Sequence, residues 1–284
     1  MPELPEVETV RRLLEAHVVG RRITGVTVRD FTGVLSTALP VPPGSLLIGT
    51  TITRVERRGK YLFFPLDSGL CMIIHLRMTG RIIVLPTDDD AIRFEHAAIH
   101  LDSGEDMRFG DQRKFGRITI VDEDELAALD ARLGPEPFDP AFDGTTLRER
   151  LARRTGSIKG ALLDQHLIAG LGNIYVDEAL WEAQIHPLQP SNTLTADQAA
   201  RLVDAIRLVL NVGIANRGTT FSHFENPYGE RGDNVRALKV YGRTKTDPTC
   251  DRCGHQLEKI VVAGRGTTLC PHCQTIPTDA PVTA

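Results

Sequence analysis

No stretch of the chain approaches the ~20 consecutive apolar residues that a membrane span requires, so none is expected. The N-terminus lacks an apolar core and carries Glu3, Glu6 and Glu8 instead, so a secretory signal is not expected. No internal repeat is present, which removes solenoids and propellers. Cysteine is sparse, at 5 in 284 residues. Basic charge is not in excess either: 33 Lys and Arg stand against 37 Asp and Glu, a net charge of −4. Averaged over the chain, that balance argues against a nucleic-acid binder. What remains, with 41% hydrophobic and 25% charged residues, is an ordinary soluble globular protein of one large or two ordinary domains. The expected location is the cytoplasm.

The average hides a segregation. Arg54, Arg57, Arg58 and Lys60 oppose only Glu56, and Arg108, Arg113, Lys114 and Arg117 oppose only Asp111. Five basic residues between Arg148 and Lys159 face Glu149 alone. The acid collects elsewhere, between Asp88 and Asp106 and between Asp122 and Asp139. Basic stripes on an acidic body are a local footprint for a polyanion.

Along the chain, Leu4 to Val19 reads as a helix. Pro5 suits a first turn, Glu6 and Glu8 favour its positive end, and Val7, Val10, Leu13 and Leu14 form a stripe. From Ile23 to Ile120 short strand patterns follow: ITGVTV, SLLIGTTIT, KYLFFPL, LCMIIHLRM, GRIIVL and GRITIV. Such runs without long helices between them predict a mostly antiparallel sandwich. The segment LGPEPFDPAFDG, Leu133 to Gly144, is the best domain boundary. Beyond it TTLRERLARR, SIKGALLDQ, NIYVDEALWEAQ and the run from Thr195 to Asn216 read as helices. A polar, Gly-rich loop spans Gly218 to Val240. The fold class is therefore α+β.

Two features carry chemistry. Cys250 and Cys253 form one CxxC and Cys270 and Cys273 another, separated by residues 254–269. This spacing fits a four-thiolate zinc site on a β-hairpin, closed and therefore structural. Such a ribbon can bind nucleic acid, bind protein or staple a fold; Arg265, between two glycines, suits a phosphate. Cys71, in an apolar run, reads as a buried thiol. The other feature is Pro2. Trimming of Met1 would leave it as a secondary amine. An α-amino group titrates near ~7.7–8.0, against ~10.4 for lysine, so part of it is nucleophilic at neutral pH.

Together, PELPEVE at the N-terminus, GLGNIY from Gly170 and the C-terminal cysteine pairs resemble the formamidopyrimidine-DNA glycosylase family. The resemblance runs from Pro2 to about residue 274. It implies a β-sandwich domain flanked by helices (1–134), a linker (135–144), a helix-two-turn-helix domain with a lesion-covering loop (145–240), a β-hairpin zinc finger (241–274) and a disordered tail (275–284). It implies removal of oxidised purines, formamidopyrimidines and 8-oxoguanine opposite cytosine, followed by β,δ-elimination at the abasic site. Pro2 would be the nucleophile and Glu3 the proton donor, with Glu6 in support. Lys60 and Arg265 would donate protons in the two eliminations or hold phosphate. Met78, Arg113 and Phe115 would fill the gap left by a flipped base, with Arg113 facing the orphaned cytosine. His75, Lys159 and Asn173 would contact DNA. One structural Zn2+, double-stranded DNA as the partner, a monomeric state, no membrane and a nucleoid-associated location complete the implication. Asn234 stands where the family carries an aromatic residue ahead of its LxVYGR strand. The alternatives are an endonuclease VIII-like enzyme for oxidised pyrimidines, against which Leu4 speaks, and a non-catalytic zinc-ribbon DNA-binding protein.

Overall fold

The structure, a computed structural model, describes residues 1–221, 224–245 and 247–276. It divides into two compact units: Met1–Ala131 with Gly213–Val235, and Arg132–Val212 with the described residues from Arg236 onward. The tail expected at 275–284 lies outside the described residues beyond Ile276. Among the described residues, no helix is long and apolar enough to cross a membrane.

The first unit opens with helix α1, Leu4–Val18, which buries Val7, Val10, Leu14 and Val18 completely. Nine strands follow: β1 Ile23–Val28, β2 Leu35–Thr37, β3 Glu56–Arg58, β4 Tyr61–Pro65, β5 Cys71–His75, β6 Gly80–Pro86, β7 Glu95–Leu101, β8 Glu105–Asp111 and β9 Arg117–Val121. Helix α2, Glu123–Ala131, closes the run. The strands form two sheets, ordered β1-β7-β8-β6 and β2-β9-β5-β4-β3. All pairs are antiparallel except β2 with β9.

Period-two alternation sorts the strand side chains. Leu62, Phe64, Met72, Ile74, Ile118 and Ile120 turn inward to meet Ile82, Ile99, Met107 and Phe109 of the other sheet in one core. Their neighbours Phe63, Cys71, Ile73 and Val121 turn outward and are covered by Leu126 and Leu129 of α2. Cys71 is thus a buried free thiol, pushed up to about 11 by burial.

The second unit is helical: α3 Gly144–Leu151, α4 Ile158–Leu162, α5 Asn173–Glu182 and most of α6 Ala196–Ala215. Asp143 caps α3 by accepting from Thr146 N–H, and Ser157 caps α4 by accepting from Gly160 N–H. Between α4 and α5 two turns are bound to the Gln165 side chain, which bonds the backbone of Leu163, Gly170 and Leu171. The hairpin β10 Glu258–Val262 and β11 Arg265–Leu269 turns at Ala263 and Gly264, both with positive φ. That is the backbone a two-residue hairpin needs.

Three segments depart from the sequence expectations. SLLIGTTIT is no strand: Pro43–Leu46 is a 3-10 turn, and Thr51 and Ile52 make only isolated bridges. Leu47 N–H donates to Gly44 O and Thr50 N–H to Leu47 O, turn bonds that replace a ladder, and Gly49 at φ +88° breaks the extension. The segment around LKVYGR is not a strand either. The backbone N–H groups of Lys239, Val240 and Tyr241 all donate to the buried Glu178 carboxylate. The glycine-rich loop up to Val235 groups with the sandwich, because Val84 N–H donates to Pro227 O and Arg81 pairs with Glu225.

The stretch 135–144 is clamped, not a loose spacer. Arg207 donates to the carbonyls of Pro137, Asp139 and Phe142, and Phe142 is 1% exposed. Phe142→Ala is therefore expected to weaken the second unit by about 3–5 kcal/mol. Hydrogen exchange checks this: amides of α3 and α6 should exchange faster while those of β5 and β8 hold. Unchanged exchange in α3 and α6 would make the stretch a spacer after all.

Candidate active site

Helix α1 begins in a reciprocal capping box. Glu3 is the N-cap, its side chain accepts from the Glu6 N–H, and its own N–H donates to Glu6 Oε2 at 2.8 Å. The other Glu6 oxygen accepts from Thr219 N–H at 2.6 Å. Gly218, at φ +86°, lets the loop come this close: a Cβ there would lie 3.0 Å from Glu6 Cγ. Glu3 and Glu6 are 2% and 1% exposed, Pro2 is buried, and Met1 stands outside at 45%. The sequence reading could give Glu6 either a dipole or a supporting role; the geometry makes it a fastener of the N-terminus.

Register gathers the next set. Tyr61 pairs with His75, His75 with Arg117, and Gly80 with Asp111. The turn before β4, the crossover from β5 to β6 and the crossover from β8 to β9 therefore share one end of the sandwich. They carry Lys60, Met78, and Arg113 with Phe115 respectively. Along α1, Arg11 reaches Val55 O and Glu8 reaches Arg57, so the helix start runs toward the Gly59–Lys60 turn. Lys60 is 7% exposed. Phe115 is 49% exposed, and the Arg113 guanidinium lies over its ring at 4.8 Å. Met78 is half-buried in a turn where Gly80 N–H donates to Leu76 O.

His75 is not a phosphate-binding cation in this geometry. It is 9% exposed, packs edge-on against Tyr61, and its Nδ1 accepts from Arg77 N–H at 2.9 Å. Burial, then the charges of Arg77 and Lys60, push it down to about 3.

In the second unit, helix α5 fastens the hairpin and the cysteines. Asn173 Nδ2 donates to Gly266 O at 3.0 Å, and Asp177 accepts from Thr268 N–H at 3.0 Å. Lys159 is 0% exposed; its ammonium donates to Asp177 Oδ1 at 2.6 Å, Thr267 Oγ1 at 2.7 Å and Gly266 O at 3.2 Å. Three donors are thereby used, so the ammonium meets no phosphate directly; it holds the hairpin that does carry an exposed cation, Arg265. Burial pushes Asp177 up to about 7 against the pull of Lys159. Asn173, Tyr241, Lys259, Gly266 and Thr268 line a cavity of about 250 Å³.

Asn234 does not face outward over this loop. It is 2% exposed, donates to Thr219 Oγ1 and accepts from Asn216, so it ties the loop to the end of α6. Among the described residues of the loop, Phe221 and Tyr228 are exposed aromatics, at 49% and 52%. Sequence reasoning missed the three carboxylates at 111, 177 and 178, whereas the supporting role expected of Glu6 is the one its bonds give it. Two acids inside the apolar run NIYVDEALWE were a signal for such a role.

The four thiols converge. Cys250 and Cys273 Sγ lie 3.9 Å apart, Cys253 and Cys270 Sγ 3.4 Å, and all four fall within 4.8 Å of one another. A tetrahedral zinc with bonds of about 2.3 Å requires edges of about 3.8 Å, so the residues fit the ion. Trp181 Nε1–H donates to Cys250 Sγ at 3.4 Å. Burial raises the Cys250 thiol, but that bond and the Arg252 and Cys253 amides outweigh it and bring it to about 6. The zinc is structural: all four positions are protein ligands.

Known proteins share this arrangement. Residues 1–118 match the model for the formamidopyrimidine-DNA glycosylase N-terminal domain, 133–225 its H2TH domain, and 248–276 a zinc finger found in FPG and IleRS. A formamidopyrimidine-DNA glycosylase of Herpetosiphon aurantiacus is 46% identical over 274 residues, 96% of this chain and 100% of that protein. The crystal structure of Lactococcus lactis Fpg with DNA containing an abasic site is 38% identical, with a TM-score of 0.86, covering 96% of this chain and 99% of that one. A variant of the same protein with DNA containing Fapy-dG gives 38% and 0.85, with the same coverage. The class these matches define is the DNA-repair glycosylases that carry a helix-two-turn-helix and a zinc finger. Within it, the chain belongs to the formamidopyrimidine-DNA glycosylase family.

Two outcomes follow from the geometry. His75 should be neutral throughout the range from about pH 5 to 8, with ring resonances that hold still in an NMR titration. Its unfolded value near 6.5 lies above the folded value of about 3. The unfolded chain therefore binds the extra proton between them, and this group's stability, present above 6.5, is lost as pH falls toward 3. A midpoint near 6.5 would put the ring in solvent. For the zinc, Trp181→Phe removes the N–H aimed at Cys250, and affinity should drop about 10- to 100-fold in a chelator competition. Equal retention by both proteins would make that bond idle.

Proposed function

We propose that the chain is a bifunctional glycosylase and abasic-site lyase acting on double-stranded DNA with oxidised purines, including formamidopyrimidines and 8-oxoguanine opposite cytosine. The buried, doubly capped start of α1 supports this most. It fixes Pro2 beside Glu3, at the one place where removal of Met1 creates a secondary amine. The relatives' complexes with abasic-site and Fapy-dG DNA agree with this lesion class.

A stacked base cannot reach Pro2, so its nucleotide is extruded at a cost of a few kcal/mol. Met78 and Phe115 take the vacated space and Arg113 offers donors to the stranded partner. The Pro2 nitrogen then bonds to C1′ while the C1′–N bond breaks; the electron pair and a proton leave with the base. Glu3 delivers a proton to the ring oxygen, the sugar opens, and a charged iminium remains. Loss of a C2′ proton sends electrons toward C3′ and expels the 3′ phosphate. A second elimination expels the 5′ phosphate, and water releases the amine. Lys60 and Arg265 are the cations assigned to the two leaving phosphates. Asn173 and the α5 N-terminus suit a backbone phosphate; Lys159 supports that hairpin from inside. Phosphate contacts of this kind position the duplex without reading its sequence.

Borohydride trapping tests the reading. The chain lacking Met1 should form a covalent adduct with 8-oxoguanine duplex DNA, and Pro2→Gly should lose it by at least about 100-fold. An adduct confined to oxidised-pyrimidine DNA would instead mark an endonuclease VIII-like enzyme. No adduct on any lesion would leave a DNA-binding protein without the reaction.

A further inference from the structure

Asp111 is the last residue of β8, 1% exposed, and absorbs a concentration of donors that no strand end requires. Its Oδ2 accepts from Phe115 N–H at 2.8 Å and Gly116 N–H at 2.7 Å. Its Oδ1 accepts from Arg113 N–H at 3.1 Å and from the Thr79 hydroxyl. Thr79 Oγ1 in turn accepts from Arg113 N–H at 3.2 Å. The backbone of Asp111 is held as well: its N–H donates to Phe94 O, and its carbonyl accepts from His96 Nε2 at 2.7 Å.

One carboxylate therefore joins two crossover turns. The first carries Met78, the residue before Thr79; the second carries Arg113 and Phe115. Lys114 between them adopts φ 58°, and Gly116 leaves no room for a Cβ, which would sit 2.4 Å from the Phe109 ring. The second turn thus has little freedom except through its bonds to Asp111. The two side chains that leave it, Arg113 and Phe115, are exposed and stack on each other.

We propose that Asp111, with Thr79 as its link, is a positioning residue that sets Met78, Arg113 and Phe115 as one rigid wedge. It would thereby govern the step in which the base leaves the duplex and its partner is held. The inference rests on the reading of those three residues as void-fillers. Asp111 touches no reacting atom; it acts through the turns it binds.

Asp111→Asn keeps the size and one acceptor but aims an amide at the N–H groups of Phe115 and Gly116. Excision measured in single turnovers on 8-oxoguanine·cytosine duplex should fall roughly tenfold to a hundredfold. Strand cleavage at an abasic site in single-stranded DNA, which needs neither extrusion nor a wedge, should stay within about twofold of the wild type. Preference for cytosine over adenine opposite the lesion should shrink, because Arg113 loses its fixed direction. Thr79→Val should show the same pattern more weakly, and Thr79→Ser, which restores the hydroxyl, should be normal. Equal effects on both substrates, or none, in Asp111→Asn and Thr79→Val would overturn the proposal, as would a Thr79→Ser protein as impaired as Thr79→Val. Wild-type protein inactive on both substrates would instead sink the glycosylase reading itself.

Discussion

A carboxylate taken out of water must be matched by donors, and this protein uses that demand as its fastener. Glu6 takes the Glu3 and Thr219 N–H groups, so the first turn of α1 and a loop more than two hundred residues later share one anion. Asp111 takes three N–H groups and a hydroxyl. Glu178 takes the successive amides of residues 239–241, and Asp177 takes Thr268 N–H with the Lys159 ammonium. Apart from Thr268 of β11, the backbone donors belong to irregular segments that have no ladder to satisfy them. Charge-assisted bonds to backbone are the strong ones, and losing one partner leaves the other buried and unpaired. Segments with few apolar side chains can thus be held as firmly as a strand.

The apolar core does a different task. Alternation along β4, β5 and β9 sends one set of side chains to the sheet interface and the next to α2, and this fixes register. Once Tyr61 faces His75 and Gly80 faces Asp111, the crossovers between the sheets must emerge at the same end. The positions of the turns that carry Met78, Arg113 and Phe115 are a consequence of where the strands stop. Asp111 then binds the backbone of one turn and the Thr79 hydroxyl of the other, so one buried acid joins both.

Much of this was legible in the sequence, and the rest was illegible for a common reason. Helix α1, the strands with clean alternation and the cysteine knuckles are local signals, and each sits where its pattern put it. SLLIGTTIT failed because apolar content mimics a strand while Gly49 and local turn bonds decide otherwise. Lys159 and His75 were read as DNA contacts and Asn234 as the place of a loop aromatic; each is buried by partners distant in sequence, Asp177 and Thr267, Tyr61, and Thr219 in turn. Composition marked the proline-rich stretch as a boundary, next to which the units divide, but could not reveal that Arg207 binds its carbonyls.

The same limit applies to charge. Of the basic stripe beginning at Arg54, Arg54 pairs with Glu56, Arg57 with Glu8 and Arg58 with Asp130. Arg108 is buried between Asp106 and Glu95, and Arg154 pairs with Asp164. Much of the apparent footprint is therefore internal charge compensation. Exposed cations remain on turns and helix ends, among them Arg113, Lys114, Arg148, Arg153 and Arg265. Counterion release scales with the number of phosphates neutralised, at about 0.9 per contact in duplex DNA. A net charge of −4 is therefore compatible with a DNA enzyme, because placed cations and backbone amides, not the average, meet the phosphates.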